Sequence, residues 1–396
     1  MRVRMGRVPW LIVVCGLVLS GCARFDDRAG GQTYVPQPQL SAPAGPQPEL
    51  PEIDGNSATG APGPGAPRSS VPPPQGCTDF DKAVIATCLD TVTAVAALPG
   101  DPASPNALAG ERKTGRVLWV APGGKADEVV KVPVDPAGDG GLTGLALSPS
   151  YAEDQLVFAY VTTATDNRVV RFTKGQQPKP VLTGIPKGST GNRGAIMPLG
   201  RALLVATGDA GNPAAAADPN SLAGKVLRID TSGNPAPGNP IASSRVYAAG
   251  LHSPGGLCRS TDSSRVWVTD RLATSDVLFR VQGGGSVGNP VWTWPDRPGV
   301  AGCVDGDQSV LVAASVAGNL QSLPISADGS VGGTPKITMD GKTGPSYGRL
   351  AGLNPIDSRY AVAGTVNRDG GRPVSSDDRV VIVQIQPSAA GGAGKD

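Results

Sequence analysis

Residues 208–230 read GDAGNPAAAADPNSLAGKVLRID. The stretch opens on a Gly-Asp turn and runs through an Ala/Pro/Asn/Asp loop with no apolar periodicity. It closes as a short strand over residues 225–229, with Val226 and Leu227 among basic residues. A loop this long inside a compact β domain is functional or belongs to a fold that displays loops. The segments on either side repeat the same succession of strand and turn, which makes this loop one turn of a circular array.

Working outward, six units share that succession at a spacing of about fifty residues, a period typical of propeller blades. They begin at residues 107–124, ALAGERKTGRVLWVAPGG, and 141–172, GLTGLALSPSYAEDQLVFAYVTTATDNRVVRF. Residues 191–209, 253–281, 299–325 and 347–367 supply the others, and the last closes at DDRVVIVQI. The runs LVFAYV (156–161) and RALLVA (201–206) are nearly continuous in apolar residues, as expected of strands buried on both faces. The expected fold is all-β, a six-bladed β-propeller, whose radial repetition protects sheet edges around a central channel. A two-sheet sandwich accounts poorly for the period.

Composition agrees. With 55 glycines and 39 prolines in 396 residues, the chain is rich in tight turns, and long amphipathic helices are hard to find. A net charge of +2 gives no nucleic-acid footprint, so no nucleic-acid partner is expected. The single histidine, His252, excludes a His-rich metal site and is the one residue on which a Ser-His-Asp triad could be built. Neither PAGDGG nor the glycines at 283–285 fit a dinucleotide-binding turn, and no Walker-type Gly-Lys-Ser/Thr occurs.

The N-terminus carries an export signal. Arg2, Arg4 and Arg7 precede an apolar stretch, residues 10–19, too short to span a bilayer comfortably. It ends at Leu19-Ser20-Gly21-Cys22, which matches the bacterial lipoprotein cleavage motif. The expectation is a signal peptide over 1–21, acylation of Cys22 (palmitate among the chains), and membrane tethering on the extracytoplasmic face. Residues 22–75 read as a disordered Pro/Gly-rich stalk, residues 76–387 as the propeller and 388–396 as a flexible tail. Four cysteines remain in the folded part. Outside the cytoplasm they are expected as disulfides, Cys77 with Cys88 and Cys258 with Cys303.

Several segments carry a family resemblance: GERKTGRVLWV, GGLTGLALSPSY, DNRVVRF, TGDAGNP…DPNSLAGKVLRID and GLHSPGGL. Together, from about residue 98 to 384, they resemble the glucose/sorbosone dehydrogenase family of six-bladed propellers. PVDPAGDGGL, LTGIPKG and VWTWPDRPGVAGC resemble its lipoprotein members. The resemblance implies pyrroloquinoline quinone (PQQ) and Ca²⁺ as cofactors where the family activity is retained. It also implies a general-base histidine in an HNGG-like turn ahead of the TGD strand, since histidine titrates near neutral pH. Here that run is Thr190-Gly191-Asn192-Arg193-Gly194, and Gly191 stands at the histidine position. In the family pattern close to GHRNPQGL, Arg and Asn help hold the quinone; here Leu251, His252 and Ser253 replace His, Arg and Asn.

No catalytic residue is therefore assigned. Asn192, Arg193, Asp209 and His252 are the candidate cofactor-binding residues. His252 contacts an acidic ligand or is an ordinary loop histidine at the channel mouth. Asp139, Asp209, Asp218 and Asp305 lie in turns that could meet at one face and suit Ca²⁺, but they also read as plain turn residues, and no metal ligand is assigned. Trp292 and Trp294, two apart, face one side of a strand and stack on a ring or pack within a blade. The expected function is a degenerate, non-catalytic binding or interaction module. Its ligand is a sugar or an envelope protein. The alternative is a PQQ-dependent dehydrogenase for an aldose or polyol.

Overall fold

A computed structural model of the chain describes residues 71–326, 329–342 and 344–385. The expectations for the signal peptide, Cys22, most of the stalk and the tail lie outside those residues.

Six sheets are arranged as blades. Their innermost strands are Val92–Ala97, Leu142–Leu147, Gly194–Leu199, Pro254–Arg259, Val300–Asp305 and Leu350–Pro355. Each neighbours the next, and the last neighbours the first, so the ring is closed. Within a blade the strands run antiparallel in sequence order. Blade 3 gains a fifth, parallel strand, Gly285–Ser286, against Val246–Ala249. Blade 6 takes its outer strand from the segment just before blade 1: Val84–Ala86 pairs with Val380–Gln384. That exchange fastens the two ends of the propeller together.

The apolar runs are explained by what lies on each face. Strand Ala202–Thr207 sends Leu203 and Val205 toward Phe158 and Tyr160 of blade 2, and Leu204 and Ala206 toward Val268 and Phe279 of blade 4. Successive side chains point to opposite faces, so a strand between two blades needs apolar residues at both parities. Six such cores form, one between each pair of neighbouring blades. Glycine lets the inner strands converge. A Cβ on Gly256 would lie 2.7 Å from Gly302 Cα, and one on Gly302 only 2.5 Å from the Leu353 nitrogen.

Both expected disulfides are present. Cys77–Cys88 brackets the fastening strand, and Cys258–Cys303 ties the inner strands of blades 4 and 5. The loop of residues 208–224 is not wholly irregular, since a short helix, Pro213–Ala217, interrupts it.

Candidate functional site

The inner strands begin at one end of the channel, and the connections from outer strand to next inner strand gather there. The second and third strands of each blade are joined at the same end. This mouth holds Gly191, Asn192, Arg193, Asp209 and His252, brought together from the segment before blade 3, the long loop of blade 3 and the segment before blade 4.

The long loop is held from below by one cation. Lys225 is fully buried, and its Nζ donates to the carbonyls of Ala215, Ala216 and Ala223, each at 2.8 Å. Thr207 Oγ1 accepts from the Lys225 N–H and donates to the Leu222 carbonyl. A chain rich in alanine has no side chains to satisfy its own buried carbonyls, so the lysine does it.

Gly191 is locked by its surroundings. Its φ is +69°, its N–H donates to Asp139 Oδ2 at 3.0 Å, and its carbonyl accepts from the Ala210 N–H at 2.9 Å. A Cβ at this position would sit 2.6 Å from Asp209 Oδ1 and 2.7 Å from the Gly211 nitrogen. Asn192 is fully buried and its amide is committed to the loop. Nδ2 donates to the Gly188 carbonyl and to Asp139, while Oδ1 accepts from the Gly188 N–H and from Asn167 Nδ2.

Asp209 and His252 form a pair. Asp209 Oδ2 is 2.9 Å from His252 Nδ1, and the Asp209 N–H donates to the His252 carbonyl at 2.9 Å. The carboxylate is nearly buried while the imidazole is 36% exposed. Its Nε2 has no hydrogen-bond partner among the described residues. Beneath it, the buried Asp270 accepts from the backbone N–H groups of His252, Ser253 and Arg271. Burial pushes the Asp270 carboxyl up to about 7, and those three N–H groups pull the other way.

Four arginines surround the mouth, where a cavity of about 150 Å³ is lined by Arg112, Arg193, Arg271 and Arg349 with Asp139 and Asp369. Arg271 is satisfied: Nε donates to the Val300 carbonyl, and Nη2 to the Gly299 carbonyl and Ser315 Oγ. Arg112 donates through Nη1 to the carbonyls of Pro136, Gly138 and Gly140 and pairs with Asp369 through Nη2, at 3.0 Å. Its Nε is buried without a partner among the described residues, as is that of Arg349, whose Nη1 donates to the Gly370 carbonyl at 2.6 Å. Arg193 makes no side-chain hydrogen bond or ion pair to any described residue; burial pulls its guanidinium pKa down despite Asp139, Asp276 and Asp369 nearby. Four arginines and two carboxylates line this cavity, with Asp276 behind Arg271 and Arg193 and Asp209 beside Gly191.

Three of these arginines were not singled out from the sequence. A signal existed: Arg193 and Arg349 stand directly before an inner strand, and Arg112 and Arg271 at the end of a second strand. Both positions reach the same end of the channel.

Of the four aspartates, Asp139 and Asp209 meet at Gly191, but Asp305 does not join them. Asp305 lies at the other end of its inner strand, bound to Trp267 Nε1 at 2.7 Å and to Arg265, because an inner strand's two ends open on opposite faces of the ring. Among the described residues no group of three or more His, Cys, Asp or Glu could hold a metal ion. Trp292 and Trp294 lie on the outer strand of blade 4 in an edge-to-face pair, and Trp294 Nε1 donates to Gln321 of blade 5. They pack between blades and do not line the mouth. Below it the channel widens into a cavity of about 480 Å³ walled by the inner strands.

Comparisons with known proteins fit this architecture. Residues 92–328 match the family model described as Glucose / Sorbosone dehydrogenase. The PQQ-bound aldose sugar dehydrogenase of Streptomyces coelicolor is 31% identical, with a TM-score of 0.69, over 79% of this chain and 99% of that one. A Thermus thermophilus protein described as a putative oxidoreductase (glucose dehydrogenase) is 28% identical, with a TM-score of 0.67, over 76% of this chain and 99% of that one. The aldose sugar dehydrogenase of Escherichia coli K12 is 25% identical over 177 residues, 40% of this chain. The match spans 48% of that relative's length. Six blades, the TGD turn with its long loop, and a family match that covers four blades and most of the fifth lead to one conclusion: the chain belongs to the glucose/sorbosone dehydrogenase family.

Proposed function

We propose that the protein is a lipid-anchored propeller on the extracytoplasmic face of the cell membrane that keeps the dehydrogenase scaffold without its proton-transfer step. It acts as a binding module through its arginine-lined mouth. The observation that carries this reading is Gly191. The family resemblance puts the base at that position, and the backbone here is left-handed and too close to Asp209 and Gly211 to carry any side chain. Arg193 does not replace the base, because a guanidinium does not give up its proton in a protein. The anchor is supported by Arg2, Arg4, Arg7 and the LSGC motif. The two disulfides suit an oxidising compartment.

PQQ, a tricyclic quinone with three carboxylates, suits the arginines of the mouth in charge. Four arginines suit an anion, and the cavity of about 150 Å³ that they line continues into the channel cavity of about 480 Å³. Without a base at 191, the mouth favours binding over turnover.

One observation favours the other reading, a PQQ-dependent dehydrogenase for an aldose or polyol. Asp209 fixes His252 through Nδ1 and leaves Nε2 open on the same face, the geometry of an oriented general base. Dye reduction by the full chain with PQQ, Ca²⁺ and a panel of aldoses separates the two. The binding reading expects no sugar-dependent reduction. Reduction that His252→Ala abolishes would establish the dehydrogenase.

A further inference from the structure

We propose that the propeller docks on an anionic phospholipid surface through the corner where blade 6 meets the incoming chain, with its mouth turned toward the bilayer. This goes beyond the binding-module reading and rests on the lipid anchor in it.

Three of the six large apolar side chains exposed among the described residues lie in this corner: Val71, Phe80 and Val374. Hydrogen bonds hold their segments together. Ser375 Oγ donates to the Pro74 carbonyl at 3.0 Å, Ser376 Oγ to Asp79 Oδ2 at 2.8 Å, and the Cys88 N–H to the Ser376 carbonyl at 2.8 Å. Exposed apolar residues scattered singly are ordinary, but a group of them rimmed by polar residues marks an interaction surface. Val374 belongs to the connection between Tyr360–Thr365 and Val380–Gln384, at the mouth end of blade 6. The same connection carries Asp369, which lines the mouth. A surface that seats Val374 therefore faces the mouth.

Charge selects the partner. Lys82 follows Phe80 by two positions, Arg372 precedes Val374 by two, and both are exposed, as is Arg368. The carboxylates of the corner are turned inward or paired. Asp79 and Asp377 are buried against Arg379, and buried Asp378 accepts from the N–H groups of Thr91 and Asn367. Asp81 and Asp90 accept from the hydroxyls of Tyr347 and Thr91, and Asp369 is shared by Arg112 and Lys113. Basic side chains beside exposed apolar ones match an anionic headgroup layer. The anchor supplies proximity: residues 23–70 join Cys22 to Val71, so the tether meets the propeller inside the patch. A basic patch is the second signal that makes membrane anchoring stable.

The test places the full chain on vesicles of phosphatidylcholine, alone or with phosphatidylglycerol. Val374→Cys carries a nitrobenzoxadiazole fluorophore, which brightens and shifts to the blue on entering lipid. Ile241→Cys carries the same label as a control, because Ile241 is exposed in the connection between Lys225–Ile229 and Val246–Ala249, at the far end of the ring. The expected result is a bright, blue-shifted label at position 374 with phosphatidylglycerol, little change there on pure phosphatidylcholine, and none at position 241 on either. High salt should reverse the response. Arg372→Gln should weaken docking about fivefold, which corresponds to ~1 kcal/mol. Phe80→Ser should weaken it too, and Arg201→Gln, exposed on the far face, should not. Circular dichroism confirms that each variant is folded. No response at position 374 with phosphatidylglycerol, an equal response on pure phosphatidylcholine, or a response indifferent to both Arg372→Gln and Phe80→Ser overturns the proposal. Flotation with pure phosphatidylcholine vesicles reads the anchor separately. A chain that does not float there overturns the anchor alone, and the label at position 374 in excess phosphatidylglycerol still reads the patch.

Discussion

Gly191→Ala is the smallest perturbation that reaches the centre of the argument. Two costs add. An L-residue in left-handed backbone costs about 1–2 kcal/mol. The new Cβ would then meet Asp209 Oδ1 at 2.6 Å, the Gly211 nitrogen at 2.7 Å and the Ala210 nitrogen at 2.9 Å. Two of the three are backbone, so the turn itself must shift, and overpacking of this kind costs about 1–3 kcal/mol. The sum is roughly 2–5 kcal/mol. Gly123 isolates the second cost. Its φ is +66° but nothing lies within 4 Å of its would-be Cβ, so Gly123→Ala should lose only the backbone part. Equilibrium unfolding in urea of both variants and the parent measures the difference. Gly191→Ala less stable than Gly123→Ala by about 1–3 kcal/mol supports the account. Equal losses would mean that the turn has room for a side chain, and the case against a base at position 191 would fail.

Further outcomes follow from the same contacts. Lys225→Met leaves three buried carbonyls unpaired and should destabilise the chain by about 3 kcal/mol or more, with faster hydrogen exchange across residues 208–224; unchanged exchange there would refute its role as the loop's anchor. Removing Cys258–Cys303 by double serine substitution frees a loop spanning 45 residues, expected at about 4 kcal/mol on the chain-entropy relation, and Cys77–Cys88, spanning 11, should cost less on unfolding in denaturant. Asp270, raised to about 7 by burial, stays protonated in the fold at pH values where the unfolded carboxyl has ionised. Its contribution to stability is therefore greatest at acid pH and is lost as pH rises toward and through about 7. The urea midpoint of the parent relative to that of Asp270→Asn should fall as pH rises from about 5 to about 8, and parallel profiles would contradict it.

Most of the fold could be read in the sequence, because blades repeat. LVFAYV and RALLVA are apolar at both parities, and only a strand between two packed layers demands that. The glycine-rich entries mark where inner strands converge, as Gly256 and Gly302 show. The disulfide pairs were legible from compartment and spacing. The site was less so. Gly191 and His252 stood out against the family motifs, but their environments are products of packing. That His252 pairs with Asp209, 43 residues away, depends on how blades 3 and 4 abut. That Asp305 leaves the other aspartates depends on which end of an inner strand it occupies. The arginine ring went unread because its members come from four separate blades, and no local window contains two of them at the mouth.

The most direct test of the central claim is equilibrium dialysis of PQQ against the full chain in the presence of Ca²⁺, followed by addition of aldose and a redox dye. No saturable quinone binding and no sugar-dependent dye reduction are expected. One quinone bound per chain, with turnover on sugar addition, would show that the mouth seats the cofactor and that a base other than residue 191 serves it.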